Sequence, residues 1–358
     1  MTSATLILDC QYGSTGKGLL AGYVASTMLP DTIAYAPSPN AGHTLTWDGA
    51  TFIHKMLPTG FTSPKLRSII LGPGSLLDLD LLQKELRSLR DRVYRINHAK
   101  VYIHANAAVV LPRHRTAESN GGTAPGSTRQ GVGAAQIERI QRGIASTNLV
   151  HLNLSHPVFR EPGVQVVNTA EMQREYWDSS RLQIESCQGY GLSIYHGQYP
   201  HTTSRDITVA SILADVGAPW GINPDVYGSF RTYPIRVANR PEDGEYSGPS
   251  YPDSVEITFG TIGQQQELTT VTKLPRRIFT WSQLQATEAC AQNRVKFGFL
   301  NFAQYPCEYK HLHDIWERLS ELTMVRYLGF GPTINDIYKV STPAISRTHI
   351  EKVYEQYR

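Results

Sequence analysis

The sequence predicts an α/β fold in which a largely parallel central sheet is flanked by helices. Three observations carry that expectation. The chain opens on a short apolar run, Thr5-Leu6-Ile7-Leu8, followed by a glycine-rich turn from Gly13 to Gly18, a helical stretch to Met28 and a second apolar run from Thr32 to Ala36. That is the beginning of a βαβ unit. Strand-like and helix-like segments then keep alternating, the pattern of a parallel sheet with crossover helices. Finally, 358 residues with 41% apolar side chains suffice for a sizeable core.

Taken in order, Leu79, Leu82, Leu86 and Leu89 recur at helical spacing and precede a strand predicted at Val101 to Ile103. Thr169 is expected to cap a helix running to Trp177, with a strand after it at Leu182 to Glu185. Ser282 to Arg294 reads as a helix and Lys296 to Asn301 as a strand; Ile315, Leu319 and Leu322 form the buried stripe of a further helix before a strand at Met324 to Leu328. Two stretches rich in Gly, Pro, Ser and Thr, Arg113 to Gly133 and Arg240 to Pro252, read as long loops, which in a compact domain usually carry function. No repeat or linker divides the chain, so one domain over residues 1–358 is expected.

Composition excludes several classes. No apolar run reaches the length needed to span a bilayer, and Met1 leads into the first strand without a basic leader, so a cytoplasmic location away from membranes is expected. Cys10, Cys187, Cys290 and Cys307 lie far apart without a CxxC pair, which suggests neither zinc nor disulfides. The net charge of +3 is small and the basic residues are scattered, which suits phosphorylated small molecules better than nucleic acid.

The strongest motif is Gln11-Tyr12-Gly13-Ser14-Thr15-Gly16-Lys17-Gly18, a glycine turn between strand and helix where backbone N–H groups and a helix N-terminus can hold phosphate. It is not a Walker A sequence, because position 11 is Gln and Lys17 is followed by Gly18. A second motif, Asn40-Ala41-Gly42-His43-Thr44, follows the second strand, where loops of parallel sheets gather into sites.

Together these two motifs resemble those of the adenylosuccinate synthetases, and further matches come in that family's order. Gly126 to Gly133 resembles its nucleotide-phosphate loop, with Arg142 at the place of an arginine that reaches a neighbouring subunit. Glu185-Ser186-Cys187-Gln188-Gly189 and His196 to Ser204 resemble two further motifs; Thr269 to Thr272 followed by Arg276-Arg277 resembles the aspartate loop, and Gly329-Phe330-Gly331-Pro332 the last base-binding turn. The resemblance spans residues 5 to 333 and implies an adenylosuccinate synthetase-like sheet related to that of P-loop NTPases.

It also implies a two-step synthesis, in which the C6 oxygen of a purine nucleotide is phosphorylated and the amino group of L-aspartate then displaces the phosphate. In that scheme Ser14, Lys17, His43 and Gln188 are the catalytic candidates. The triphosphate donor would meet Gly13, Thr15, Gly16, Lys17, Gly18 and Thr44, with Phe302, Gln304, Gly329, Gly331 and Pro332 around its base. Asn40, Thr128, Thr203 and the Arg142 of a second subunit would hold the substrate phosphate, and Thr272, Arg276 and Arg277 the aspartate carboxylates. Mg2+ is the implied cofactor, with Ser14 and Gly42 at its site, and a homodimer is the implied assembly.

The departures from the family redirect the expected substrates. Its first turn reads GDEGKG, in which the Asp acts as base and metal ligand; here Ser14 stands at that position, a poor base and a weak ligand. A smaller residue leaves room beside a purine 2-amino group, and its hydroxyl can accept from it. The same replacement marks bacteriophage members acting on dGMP for 2-aminoadenine synthesis, which implies the cytoplasm of an infected cell. In the donor-base motif Phe302 and Gln304 replace Lys and Asp, favouring the adenine edge and hence ATP or dATP over GTP. Two alternatives are a conventional enzyme using IMP, which Ser14 disfavours, and a silent nucleotide-binding regulator, which has no use for an aspartate loop.

Overall fold

The computed structural model describes residues 3–120, 126–143, 145–239, 246–269, 273–340 and 347–357. Ten strands form its central sheet: β1 (Ser3–Asp9), β2 (Thr32–Tyr35), β3 (Ser68–Leu71), β4 (Lys100–His104), β5 (Val164–Val167), β6 (Arg181–Gly189), β7 (Asp225–Arg231), β8 (Phe297–Asn301), β9 (Met324–Gly329) and β10 (Ile337–Lys339). Their spatial order is β10-β9-β8-β7-β1-β6-β2-β3-β4-β5, and every pairing is parallel except β9 with β10.

The continuous apolar runs follow from burial on both faces of this sheet. Along β1, Leu6 and Leu8 enter one core layer with Ile184 and Val226, while Ile7 enters the opposite layer with Leu19, Leu20 and Ile69. All three β1 residues are fully buried. Polar chemistry is thereby displaced to the strand ends, where loops meet at the crossing of two halves of the sheet.

Helix α1 (Lys17–Met28) begins where the glycine turn ends, and α2 (Leu79–Arg92) buries Leu82, Leu86 and Leu89 as its leucine spacing requires. Asp78 caps α2 by accepting from Leu81 N at 3.1 Å. The expected loop from Arg113 to Gly133 is different: α3 (Pro112–Ser119) and α4 (Val132–Gln141) occupy its two ends. Glycine and serine content concealed them. Pro112 is favoured in a first helical turn, and Gly131 enters α4 at φ 79, a left-handed conformation in which a side chain would be strained. Helix α5 (Thr169–Trp177) is capped by Asn168 rather than Thr169, in a reciprocal box with Glu171. Among the described residues no helix is long and apolar enough to cross a membrane.

Candidate active site

A cavity of about 770 Å³ opens at the carboxyl ends of β1, β2, β6 and β8. Its floor is the glycine turn. Asp9, the last residue of β1, is 1% exposed; one carboxylate oxygen accepts from the N–H of Gln11 (3.0 Å) and of Gly13 (3.2 Å), and the other from the N–H (3.3 Å) and hydroxyl (2.7 Å) of Thr15. Burial pushes this carboxyl above its ordinary range, against the pull of Lys17 and these bonds. Three N–H groups of the turn therefore serve Asp9, and phosphate is left the first turn of α1. That turn carries no acidic side chain. The Thr15 side chain, fully buried on Asp9, does not reach the cavity. Gly16, at φ 85, allows close packing, since a Cβ there would lie 1.9 Å from the Asn301 amide.

Lys17 turns inward. Its ammonium donates to Ser186 O at 2.6 Å and lies 2.7 Å from His43 Nε2. An ammonium only donates, so Nε2 is the acceptor and Nδ1 carries the ring proton. That Nδ1 is buried without a partner among the described residues. Burial and then the Lys17 charge hold His43 well below the ordinary histidine range, and burial also lowers Lys17. His43 is thus a neutral donor poised at the cavity wall. Gly18 permits this contact, because a Cβ would stand 3.0 Å from both His43 Cβ and Thr44 O. Gly42 and Thr44 line the cavity beside it.

On the opposite side Asn40 Oδ1 accepts from Ser38 Oγ (2.7 Å) and from Gln188 Nε2 (2.8 Å). The Gln188 amide is thereby oriented, leaving Oε1 a buried acceptor without a partner among the described residues. Gln188 itself sits at φ 68, at the end of β6. Thr128 and Thr203 line the same cavity, and the Thr203 hydroxyl is buried without a partner among the described residues.

Ser14, at φ 57, is exposed to the cavity, and its Oγ accepts from Arg276 Nη1 at 2.6 Å. Behind them stands a pair that sequence reasoning missed. Arg231, fully buried at the end of β7, donates to Glu267 at 2.6 Å and to Ser14 O at 3.4 Å, and stacks 3.8 Å over the Phe302 ring. Glu267 also accepts from the Tyr305 hydroxyl at 2.8 Å and lies 3.9 Å from Arg276. Burial raises the Glu267 carboxyl, yet Arg231 and these bonds outweigh it and hold it below its ordinary value. The signal for Arg231 was an arginine closing a strand whose middle is largely apolar or aromatic.

Other expected residues stand elsewhere. Arg277 does not line the cavity: it is enclosed by Glu256 at 2.5 Å, Ser247 Oγ at 2.9 Å and Gly248 O at 2.6 Å, where it braces the small antiparallel sheet of Ile235–Arg236, Glu256–Ile257 and Arg277–Phe279. Phe302 is a lining residue, whereas Gln304, Gly329, Gly331 and Pro332 stand outside the lining. Arg142, exposed beyond the end of α4, is also absent from its own chain's cavity. Thr272 lies outside the described residues.

The donor set does not suit a magnesium ion held by the protein. Ser14 Oγ already faces the Arg276 cation, and the carboxylates of Asp9, Glu118 and Glu267 are engaged by backbone N–H groups or arginines. Gly42 offers only backbone. Magnesium commonly relies on substrate phosphates and water.

Comparison with known proteins gives the family of this chain. The adenylosuccinate synthetase family model matches residues 6–161 and 156–301. The N6-succino-2-amino-2'-deoxyadenylate synthase of Cyanophage S-2L is 50% identical over 359 residues, covering 99% of this chain and 97% of that protein. A solved structure of the Cyanophage S-2L succinoaminodeoxyadenylate synthetase, bound to dGMP and dATP as an energy donor, superposes with a TM-score of 0.94 over 100% of both chains. The fully ligated adenylosuccinate synthetase of Plasmodium falciparum shares the fold, with a TM-score of 0.74 at 16% identity over 95% of this chain and 100% of that one. The chain belongs to the adenylosuccinate synthetase family.

Proposed function

We propose that this enzyme condenses L-aspartate with dGMP, at the expense of ATP or dATP, to form N6-succino-2-amino-2'-deoxyadenylate. The purine N1 proton passes to water as the 6-oxygen attacks the γ-phosphorus and the bond to the β-phosphate oxygen breaks, releasing the nucleoside diphosphate. Aspartate nitrogen then bonds to C6 and gives up a proton to water, and phosphate departs with the C–O electron pair. Lys17 and the first turn of α1 face the donor phosphates, His43 offers its Nδ1 proton to charge developing on the transferred group, and Gln188 Oε1 accepts from the purine. Ser14 Oγ, with one lone pair given to Arg276, keeps another for the 2-amino group. Arg276 is the aspartate anchor; Arg277 supports its loop from behind.

The observation that carries this reading is the full-length superposition on a structure holding dGMP and dATP. It is tested by incubating the protein with magnesium, ATP or dATP, aspartate, and either dGMP or IMP. Aspartate-dependent phosphate release with dGMP in preference to IMP is expected; preference for IMP, or release that ignores aspartate, overturns it.

A homodimer belongs to the same proposal. Arg142 can serve a substrate phosphate only from a neighbouring subunit, and Ile137 and Ile140 of α4, 59% and 66% exposed, supply apolar surface close by. Such an enzyme works in the cytoplasm of an infected cell. Full activity of a monomer, or an unchanged dGMP affinity in Arg142→Ala, refutes the shared site.

A further inference from the structure

We propose that Asp9 is a positioning residue that fixes Ser14 and Gln188 against the purine, acting through the backbone of two turns. The proposal rests on the reading of Ser14 as the residue beside the 2-amino group.

A carboxylate has about four lone-pair directions. Asp9 fills all of them inside the protein, with Gln11 and Gly13 N–H on one oxygen and the N–H and hydroxyl of Thr15 on the other. It therefore has no acceptor left for a substrate proton. Its effect lies in where those bonds fall. Gly13 and Thr15 flank Ser14 on either side, and Ser14 holds φ 57, a left-handed conformation unusual for a residue with a Cβ. Such a conformation persists when the surrounding bonds over-determine it. Asp9 supplies that constraint from below, while Arg276 holds the hydroxyl at 2.6 Å and Arg231 the carbonyl at 3.4 Å.

The same carboxylate sets the approach of the second turn. A Cβ on Gly189 would lie 2.7 Å from Asp9 Oδ1 and 2.5 Å from Gly13 N, so Gly189 rests directly on the Asp9-bound turn. Gln188, the preceding residue, is also at positive φ, and its amide is aimed by Asn40. Asp9 thus links the two side chains assigned to the purine edge. A buried carboxylate is a costly way to tie a loop unless each of its acceptors is used, and here each is.

The test is a double-mutant cycle in the full-length protein, using Asp9→Asn, Ser14→Ala and the pair. Melting curves establish that each variant is folded. Asn replaces one acceptor oxygen by an amide that faces N–H or O–H donors, and kcat with dGMP is expected to fall by about tenfold or more, with aspartate KM changed less than about twofold. In the Ser14→Ala background the same substitution is expected to cost clearly less than in the wild type, because the part of its effect that travels through Ser14 is already gone and only the part through Gln188 remains. Thr15→Val, which removes the 2.7 Å hydroxyl bond but leaves the charge, is expected to move kcat the same way, and Thr15→Ser to restore it. Should Asp9→Asn not fold, the cycle is run with Thr15→Val. Losses that multiply fully in the double variant, or a single variant with wild-type kcat, overturn the positioning role. Failure of the wild-type protein to use dGMP would instead overturn the proposed function.

Discussion

Replacing Ser14 by aspartate restores the family's usual residue, but the structure predicts a penalty at the aspartate site. Ser14 Oγ lies 2.6 Å from Arg276 Nη1, and the Arg276 side chain is only 12% exposed. A carboxylate there converts a hydrogen bond to a neutral oxygen into an ion pair, and Arg276 must then be shared between the introduced carboxylate and the substrate. Charge-assisted bonds in such partly buried settings are worth about 1.5–3 kcal/mol. At about 1.4 kcal/mol per factor of ten, the aspartate KM should rise by roughly 10- to 100-fold. The longer side chain also crowds the 2-amino group, and overpacking of about 1–3 kcal/mol should lower kcat/KM for dGMP relative to IMP. Phosphate release is measured against aspartate at saturating purine, then against each purine at saturating aspartate. An aspartate KM within twofold of the wild type would show that Arg276 is not the aspartate anchor; an unchanged dGMP-to-IMP ratio would remove Ser14 from the purine 2-position.

Three other outcomes follow from the same geometry. His43→Ala should lower kcat by about 10²–10³ while leaving dGMP binding by calorimetry nearly unchanged, since a neutral donor to the transferring group acts in the transition state; near-normal turnover would remove it from the mechanism. Gln304→Asp should shift donor preference from ATP toward GTP by about 1–3 kcal/mol, because Gln304 Oε1 is buried without a partner among the described residues and a carboxylate there favours the guanine edge; an unchanged ratio places base reading elsewhere. His54, which burial depresses from 6.5 to about 4, is neutral in the folded state, so the stability it contributes is present above pH 6.5 and drains as the pH falls toward 4, by about 1.4 kcal/mol per unit. His54→Leu should therefore lose less stability than the wild type between pH 6.5 and 5 in urea titrations, and parallel curves would refute the assignment.

The strands were legible because burial on both sheet faces leaves apolar runs that need no partner to be recognised, as in Thr5 to Leu8. Helices α3 and α4 were not, since their ends are set by Pro112 and Gly131, residues that equally mark loops. At the site, short motifs brought Ser14, Lys17, Asn40, His43, Gln188 and Arg276 to one cavity. Arg231 and Glu267 escaped notice because their roles depend on groups far away in sequence: Arg231 meets Glu267 and the ring of Phe302 only once the sheet has formed, whereas Asp9 bonds residues of the adjoining turn. An acidic residue closing an apolar strand just before a glycine turn was the available sign of Asp9. Arg277 shows the converse: it opens the strand Arg277–Phe279 directly after Arg276, yet its side chain is enclosed by Glu256 and Ser247 while that of Arg276 lines the cavity.

The two helices that start at the cavity divide its anion chemistry between them. Both enter through a glycine in the left-handed region, Gly16 for α1 and Gly131 for α4, so both present backbone N–H groups to the same space. Glu118 already bonds the α4 end, accepting from Gly131 and Gly133 N–H at 2.7 Å each. The first turn of α1 carries no acidic residue and instead carries Lys17. In the proposed function a triphosphate would therefore be drawn to α1, and a nucleotide monophosphate near Thr128 would rely on side chains rather than on the α4 amides. With the α4 amides engaged by Glu118, a monophosphate near Thr128 would gain from a cation supplied by a second subunit, as the proposed homodimer requires, and Arg142 is the exposed arginine at the far end of the same helix.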